Sequence, residues 1–182
     1  MLPPGHFSAG YLLADAIVRV VHPSLSQSQL HWVLFSGAFF GFAPDLDMFY
    51  AFWKEKGFHQ TALNFNHRQF ISHTPIVWLG FGLLTMLVGG TQFWHYIGLM
   101  VWLGAWSHFL LDSTDYGIRW LYPFSAKFFS LTSPGYGEPN LAVGFFRHWK
   151  NLVVQYYRRT PYTFFAEIVL VLCAIAVFFF SR

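Results

Sequence analysis

The chain has 182 residues, of which 55% are hydrophobic, 22% aromatic and only 10% charged, and its formal net charge is +3. An average soluble domain carries about 25% charged residues, and a chain this short needs more polar surface than this if water surrounds it. The composition therefore excludes an ordinary soluble domain, and the small, dispersed positive charge leaves no footprint for nucleic acid, so lipid is expected to be part of the solvent.

The first apolar stretch, residues 7–21, carries Asp15 and Arg19 four residues apart, a spacing that pairs them on one helix face. The second, residues 30–43, is short and ends at Pro44. Polar residues 23–29 between them read as a turn, so the two stretches form a helical hairpin. Residues 75–88 and 93–111 read as a second hairpin joined through Gly89-Gly90-Thr91-Gln92. Residues 116–143 hold Pro123, Pro134, Gly135, Gly137 and Pro139 and read as an irregular loop. Across residues 144–159, Phe145, Phe146, Trp149, Leu152, Val153, Tyr156 and Tyr157 recur at helical spacing, with basic and polar residues between them. That pattern predicts an amphipathic helix, lying in the membrane interface or packed over the bundle. Residues 162–180 contain one formal charge, Glu167. At about 1.5 Å per residue, their length nearly matches a hydrocarbon core of roughly 30 Å. The lone Cys173 allows no intramolecular disulfide. No Lys/Arg region precedes the first apolar stretch, so no cleavable signal peptide is expected.

If these segments cross alternately from the cytoplasm, nine of the eleven Lys and Arg residues fall on the cytoplasmic side, Arg19 and Arg182 being the exceptions. This agrees with the positive-inside rule and places the N-terminus in the cytoplasm. The expected fold is an all-α, polytopic membrane bundle of about five transmembrane or membrane-embedded helices plus one interfacial amphipathic helix. It forms a single membrane domain over residues 1–182, with residues 1–115 as the helical core.

On this topology the histidines and acids gather at one face. His6 precedes the first segment, Asp45 and Asp47 follow the second, His67 and His73 precede the third, and His108 and Asp112 close the fourth. His108 and Asp112 are four apart, so a helix stacks them on one side. Mixed His and Asp donors suit zinc, manganese or iron better than calcium, which prefers oxygen shells. Rival readings exist for single residues. His108 and Asp112 can form a plain hydrogen-bonded pair, Asp45 can serve a helix-ending turn, and Asp47 can cap a helix or orient a ligand. Glu167 is expected to face a neighbour or a cavity.

The segments GHFSAG, PDLD, NHRQFISHT and GAWSHFLLDSTDYG followed by WLYPFS, in that order, resemble the YdjM family over residues 5–130. Asn66 and Gln69 depart from the glycines often found beside the family's His-Arg pair. The resemblance implies a bacterial inner-membrane protein that carries out metal-dependent hydrolysis. The ligand order is also similar to zinc-dependent phospholipase C and related nucleases. That similarity implies His6, Asp45, His67 or His73, His108 and Asp112 as ligands of one or two divalent ions, with Asp112 bridging if there are two. The expected activity is hydrolysis of phosphoester-type bonds in a lipid or lipid-linked substrate. Asp47 is then a general base or orienting carboxylate, and Arg68 holds a phosphate oxygen or serves as an interfacial charge. Membrane lipid is the expected partner. The rival function is a non-enzymatic, metal-stabilised scaffold or accessory subunit.

Overall fold

Apolar runs bounded by proline, glycine and capping residues become helices in the order the sequence dictates. The computed structural model describes residues 2–54, 67–114, 117–131 and 145–180. Its α-helices are α1 (Pro3–Val21), α2 (Gln27–Phe42), α3 (Asp47–Lys54), α4 (Pro75–Gly89), α5 (Gln92–Asp112), α6 (Phe145–Arg159) and α7 (Pro161–Phe180). Short 3₁₀ turns at Ala43–Leu46, His67–Gln69 and Ile71–His73 join the helices near the site. The described residues form no strand, only a single antiparallel bridge between Ile118 and Phe129.

Local chemistry sets the boundaries. α1 starts on Pro3 and Pro4, whose missing N–H groups cost nothing in a first turn. α2 starts from a reciprocal cap: Ser26 Oγ accepts the Gln29 N–H at 3.3 Å, and Gln29 Oε1 accepts the Ser26 N–H at 2.9 Å. α4 ends at Gly90, whose φ of 63° reverses the chain into α5, a conformation that glycine adopts without a Cβ penalty.

α1 packs along α2, α4 along α5, and α2 and α1 both lie against α5, while α7 joins the bundle through α1. The crossings are close because small residues meet there. A Cβ on Gly10 would collide with the carbonyl of Gly37, and one on Gly37 would strike Ala14 and the Gly10 carbonyl. Such close approach supplies dispersion contacts between the helix backbones. Ala14, Val33 and Met100 form the core of this three-helix contact, and Ala105, Phe109 and Ile118 form a second core beneath the site.

The outward faces are apolar. Leu87 and Val88 on α4 are 80% and 79% exposed, and Trp32, Phe35, Phe179 and Phe180 also face outward. Such faces suit lipid rather than water. Among the described helices, α7 alone is long and apolar enough to cross a bilayer by itself. Length and apolarity thus identify one crossing helix where the sequence reading expects about five. The physical reason differs by helix. α4 has only 15 residues and α2 only 16, while α1 and α5 have the length but carry ionisable and polar residues.

The Asp15–Arg19 pair forms as expected, with Arg19 Nε 2.5 Å from Asp15 Oδ2. Glu167 is buried, and its carboxylate accepts the Leu2 N–H at 3.0 and 3.1 Å and the Gly5 N–H at 3.2 Å. A carboxylate in an otherwise apolar helix is thereby matched to the positive end of α1. Residues 117–131 fold back onto the end of α5: Ile118 and Phe129 exchange backbone bonds of 3.0 and 2.9 Å, and the Leu131 N–H donates to Ser113 O at 2.8 Å. The rest of the predicted loop 116–143 lies outside the described residues.

Candidate metal centre

Five side chains from four parts of the chain converge. His6 stands at the start of α1, and His108 and Asp112 on the last two turns of α5. Asp45 lies in the turn after α2, which ends there because Pro44 cannot extend the helical ladder. His73 sits two residues before Pro75, and Thr74 is forced extended ahead of that proline, so the turn Ile71–His73 stops short of α4. His6, His73, His108 and Asp112 have no solvent exposure, and Asp45 is 6% exposed.

The donor atoms face one another. His6 Nε2 is 3.4 Å from Asp112 Oδ1 and 4.0 Å from Asp45 Oδ2. His73 Nε2 and His108 Nε2 lie 3.5 and 3.6 Å from Asp45 Oδ1, and His108 Nε2 is 3.7 Å from Asp112 Oδ2. Two triads, His6–His108–Asp112 and Asp45–His73–His108, each place one donor atom per residue within 4.8 Å of the others. Donors about 2.0–2.1 Å from a tetrahedral ion stand about 3.3 Å apart. Four of the five spacings, 3.4–3.7 Å, lie within a few tenths of an ångström of that value, and the His6–Asp45 spacing of 4.0 Å is wider. Nε2 of His6 and Nε2 of His108 are buried and make no hydrogen bond. Buried polar atoms left in that state are costly unless a ligand completes them. The donor set fits a transition-metal ion.

The surrounding groups orient these donors. His108 Nδ1 donates to the Gly41 carbonyl at 3.0 Å, which leaves the Nε2 lone pair facing the carboxylates. His73 Nδ1 is 2.8 Å from Asp47 Oδ2, and the Ser72 hydroxyl donates to the same oxygen. Trp78 Nε1 fixes the backbone of that turn by donating to Ser72 O at 2.6 Å. Burial works against charging His73, but hydrogen bonds to Asp45 and Asp47 outweigh it and raise its pKa to about 9. Arg68 is buried and its Nε donates to Asp112 Oδ2 at 2.6 Å. Arg119 holds the neighbouring turn by donating to the Gln69 carbonyl.

Of the residues singled out in the sequence, His6, Asp45, His73, His108 and Asp112 are brought together. Asp47 lies behind His73 and Arg68 beside Asp112. The side chain of His67 lies outside the described residues, so only His73 of that pair is placed in the cluster. Ser72 and the Gly41 carbonyl also contact the clustered residues and were not singled out as parts of the site; neither gives a sequence signal.

The sequence profile of the YdjM inner membrane protein family matches residues 1–182, the full length of the chain. The chain belongs to that family. No curated protein and no solved structure matches it. The family's description places this protein in the inner membrane, consistent with the apolar outer faces and with α7.

Proposed function

We propose that this YdjM-family protein is a multi-pass, metal-dependent hydrolase of phosphoester-type bonds in a lipid or lipid-linked substrate. The observation that carries this reading is the convergence of three imidazoles and two carboxylates, with His6 Nε2 and His108 Nε2 buried and making no hydrogen bond. In the proposed topology α1, α2, α4, α5 and α7 cross or enter the inner membrane as one domain. The N-terminus is cytoplasmic, and α6 lies along the inner leaflet.

The cluster holds one divalent ion, zinc first, with manganese or iron as alternatives. His108 supports a single ion. Its Nδ1 is committed to Gly41 O, its one remaining lone pair is on Nε2, and that atom belongs to both triads. His6, Asp45, His73, His108 and Asp112 are the ligands. Such an ion supplies water activation and offsets charge on a leaving oxygen. Asp47 orients His73 and keeps its Nε2 aimed at the cluster, a role its position favours over that of a free general base. Arg68 orients Asp112, and its positive charge beside the cluster also suits the oxygens of a phosphoester.

The complete burial of His6, His73, His108 and Asp112 favours a second reading, a metal-stabilised scaffold in which protein fills every coordination position. One set of measurements separates the two. Metal content of the purified protein is compared with that of His108→Ala and Asp112→Ala, and hydrolysis of bacterial phospholipids is assayed in parallel. The hydrolase reading expects near-stoichiometric metal that both substitutions remove, and lipid turnover that disappears with it. Metal without turnover of any lipid supports the scaffold, and unchanged metal in both variants refutes the ligand assignment.

A further inference from the structure

We propose that Glu167 on α7 is a positioning residue for the metal centre, acting through His6. The inference rests on the reading of the cluster as a metal site, and concerns what holds its least anchored ligand.

The four N–H groups at a helix start have no partner within the helix. In α1 these belong to Leu2, Pro3, Pro4 and Gly5. Two are prolines and have no N–H. The other two, Leu2 and Gly5, both donate to Glu167, from more than 160 residues away in sequence, Gly5 sharing its N–H with the Leu2 carbonyl at 3.0 Å. No side chain of α1 caps its own N-terminus. Glu167 therefore accepts from both N–H groups of that turn and is the acceptor of the Leu2 N–H, and its negative charge faces the positive end of the helix. The fit is tight, because a Cβ on Gly5 would lie 2.7 Å from Glu167 Oε1.

His6 is the next residue, and it differs from the other two imidazoles. His73 is held through Nδ1 by Asp47, and His108 through Nδ1 by the Gly41 carbonyl. Neither ring nitrogen of His6 makes a hydrogen bond. Its ring is stacked on that of His108 with centroids 3.8 Å apart, and its Nε2 faces Asp112 Oδ1 at 3.4 Å, but nothing holds its Nδ1 from behind. Its position then depends on its backbone, and that backbone is the turn that Glu167 ties down. The ligand whose Nδ1 has no anchor is the one with an anchor beneath its main chain. On this account α7 belongs to the metal site as well as to the membrane.

A merely structural carboxylate, buried only to pair its own charge, predicts something different, and a double-mutant cycle separates the two. The full-length protein in detergent is titrated with Co²⁺ under chelator competition, and the visible ligand-field spectrum is recorded. The set is wild type, Glu167→Leu, Glu167→Gln, His6→Ala and the His6→Ala/Glu167→Leu double variant. Glu167→Leu is expected to weaken Co²⁺ binding by about 10–100-fold and to shift the spectrum toward that of His6→Ala. The double variant is expected to bind no more weakly than His6→Ala alone. Glu167→Gln is expected to recover part of the loss, since its amide oxygen still accepts an N–H. Wild-type affinity and spectrum in Glu167→Leu, or losses that add in the double variant, overturn the proposal. If Glu167→Leu does not fold, the same cycle with Glu167→Gln decides. A wild type that takes up no Co²⁺ overturns the metal reading itself, whereas binding with additive losses overturns only the role of Glu167.

Discussion

His73 Nδ1 lies 2.8 Å from Asp47 Oδ2, so the ring is held from behind while its Nε2 faces Asp45. A carboxylate on the far nitrogen fixes both the tautomer and the direction of a ligating imidazole. Asp47→Asn is therefore expected to keep the fold but lower zinc affinity by about 10–100-fold. Chelator competition on the purified protein measures this, and wild-type affinity would remove Asp47 from the site.

The same contact sets a pH dependence. With its pKa raised to about 9, His73 is protonated in the metal-free protein at neutral pH, and a bound ion must displace that proton. From this group alone, metal affinity is expected to rise about tenfold per pH unit toward pH 9 and then level off. Without metal the sign reverses for stability. The protonated His73 stabilises the fold fully below its ordinary pKa of 6.5, and that contribution is lost as pH rises through about 9. Proton release on zinc addition checks the first statement, and thermal midpoints in chelator from pH 6 to 10 check the second.

Arg68 Nε donates to Asp112 at 2.6 Å in a setting with almost no solvent. Removing one partner of a buried ion pair costs about 3–5 kcal/mol. Arg68→Met is expected to lose an amount of that order in chelator. A bound cation compensates Asp112 in its place, so added zinc should restore much of the loss. Thermal melts with and without zinc measure both values. An equal loss in the two conditions would separate Arg68 from the metal centre.

The proposed topology puts the α4–α5 turn and the loop after α5 on opposite sides of the membrane. Thr91 and Lys127 are both exposed. In a Cys173→Ser background, Thr91→Cys is expected to react with an impermeant maleimide in intact spheroplasts, and Lys127→Cys only after permeabilisation. Labelling of both from the same side would overturn the alternating arrangement.

The clustered residues were legible because each stands at the end of an apolar run, and the packing of α1, α2, α4 and α5 brings those ends together. Helix starts were less legible. The apolar criterion begins the first segment at residue 7, whereas α1 begins at Pro3, because a first turn can be built from proline and glycine with outside help. Residues 23–29 read as a turn, yet Ser26 and Gln29 form the cap that opens α2 inside that stretch. The role of Asp47 stayed open between base, cap and orienting group, because its contact with His73, on which the proposed orienting role rests, comes from a residue 26 positions away. Glu167 was recognisable as a charge in need of a partner. Its partners are backbone groups of Leu2 and Gly5, and main-chain donors leave no mark on side-chain patterns.

The glycine contacts between α1 and α2 make the spacing of the centre a hard stop. A Cβ on Gly41 would lie 2.5 Å from the His6 carbonyl, and the Gly41 carbonyl is what holds His108. Two imidazoles on different helices are thus gauged against one residue without a side chain. A single methyl group there would push the helices apart, and no rotamer change could take up the error, because the atom it meets is backbone. Damage at this position would look like a chemical defect, although no donor atom had been altered.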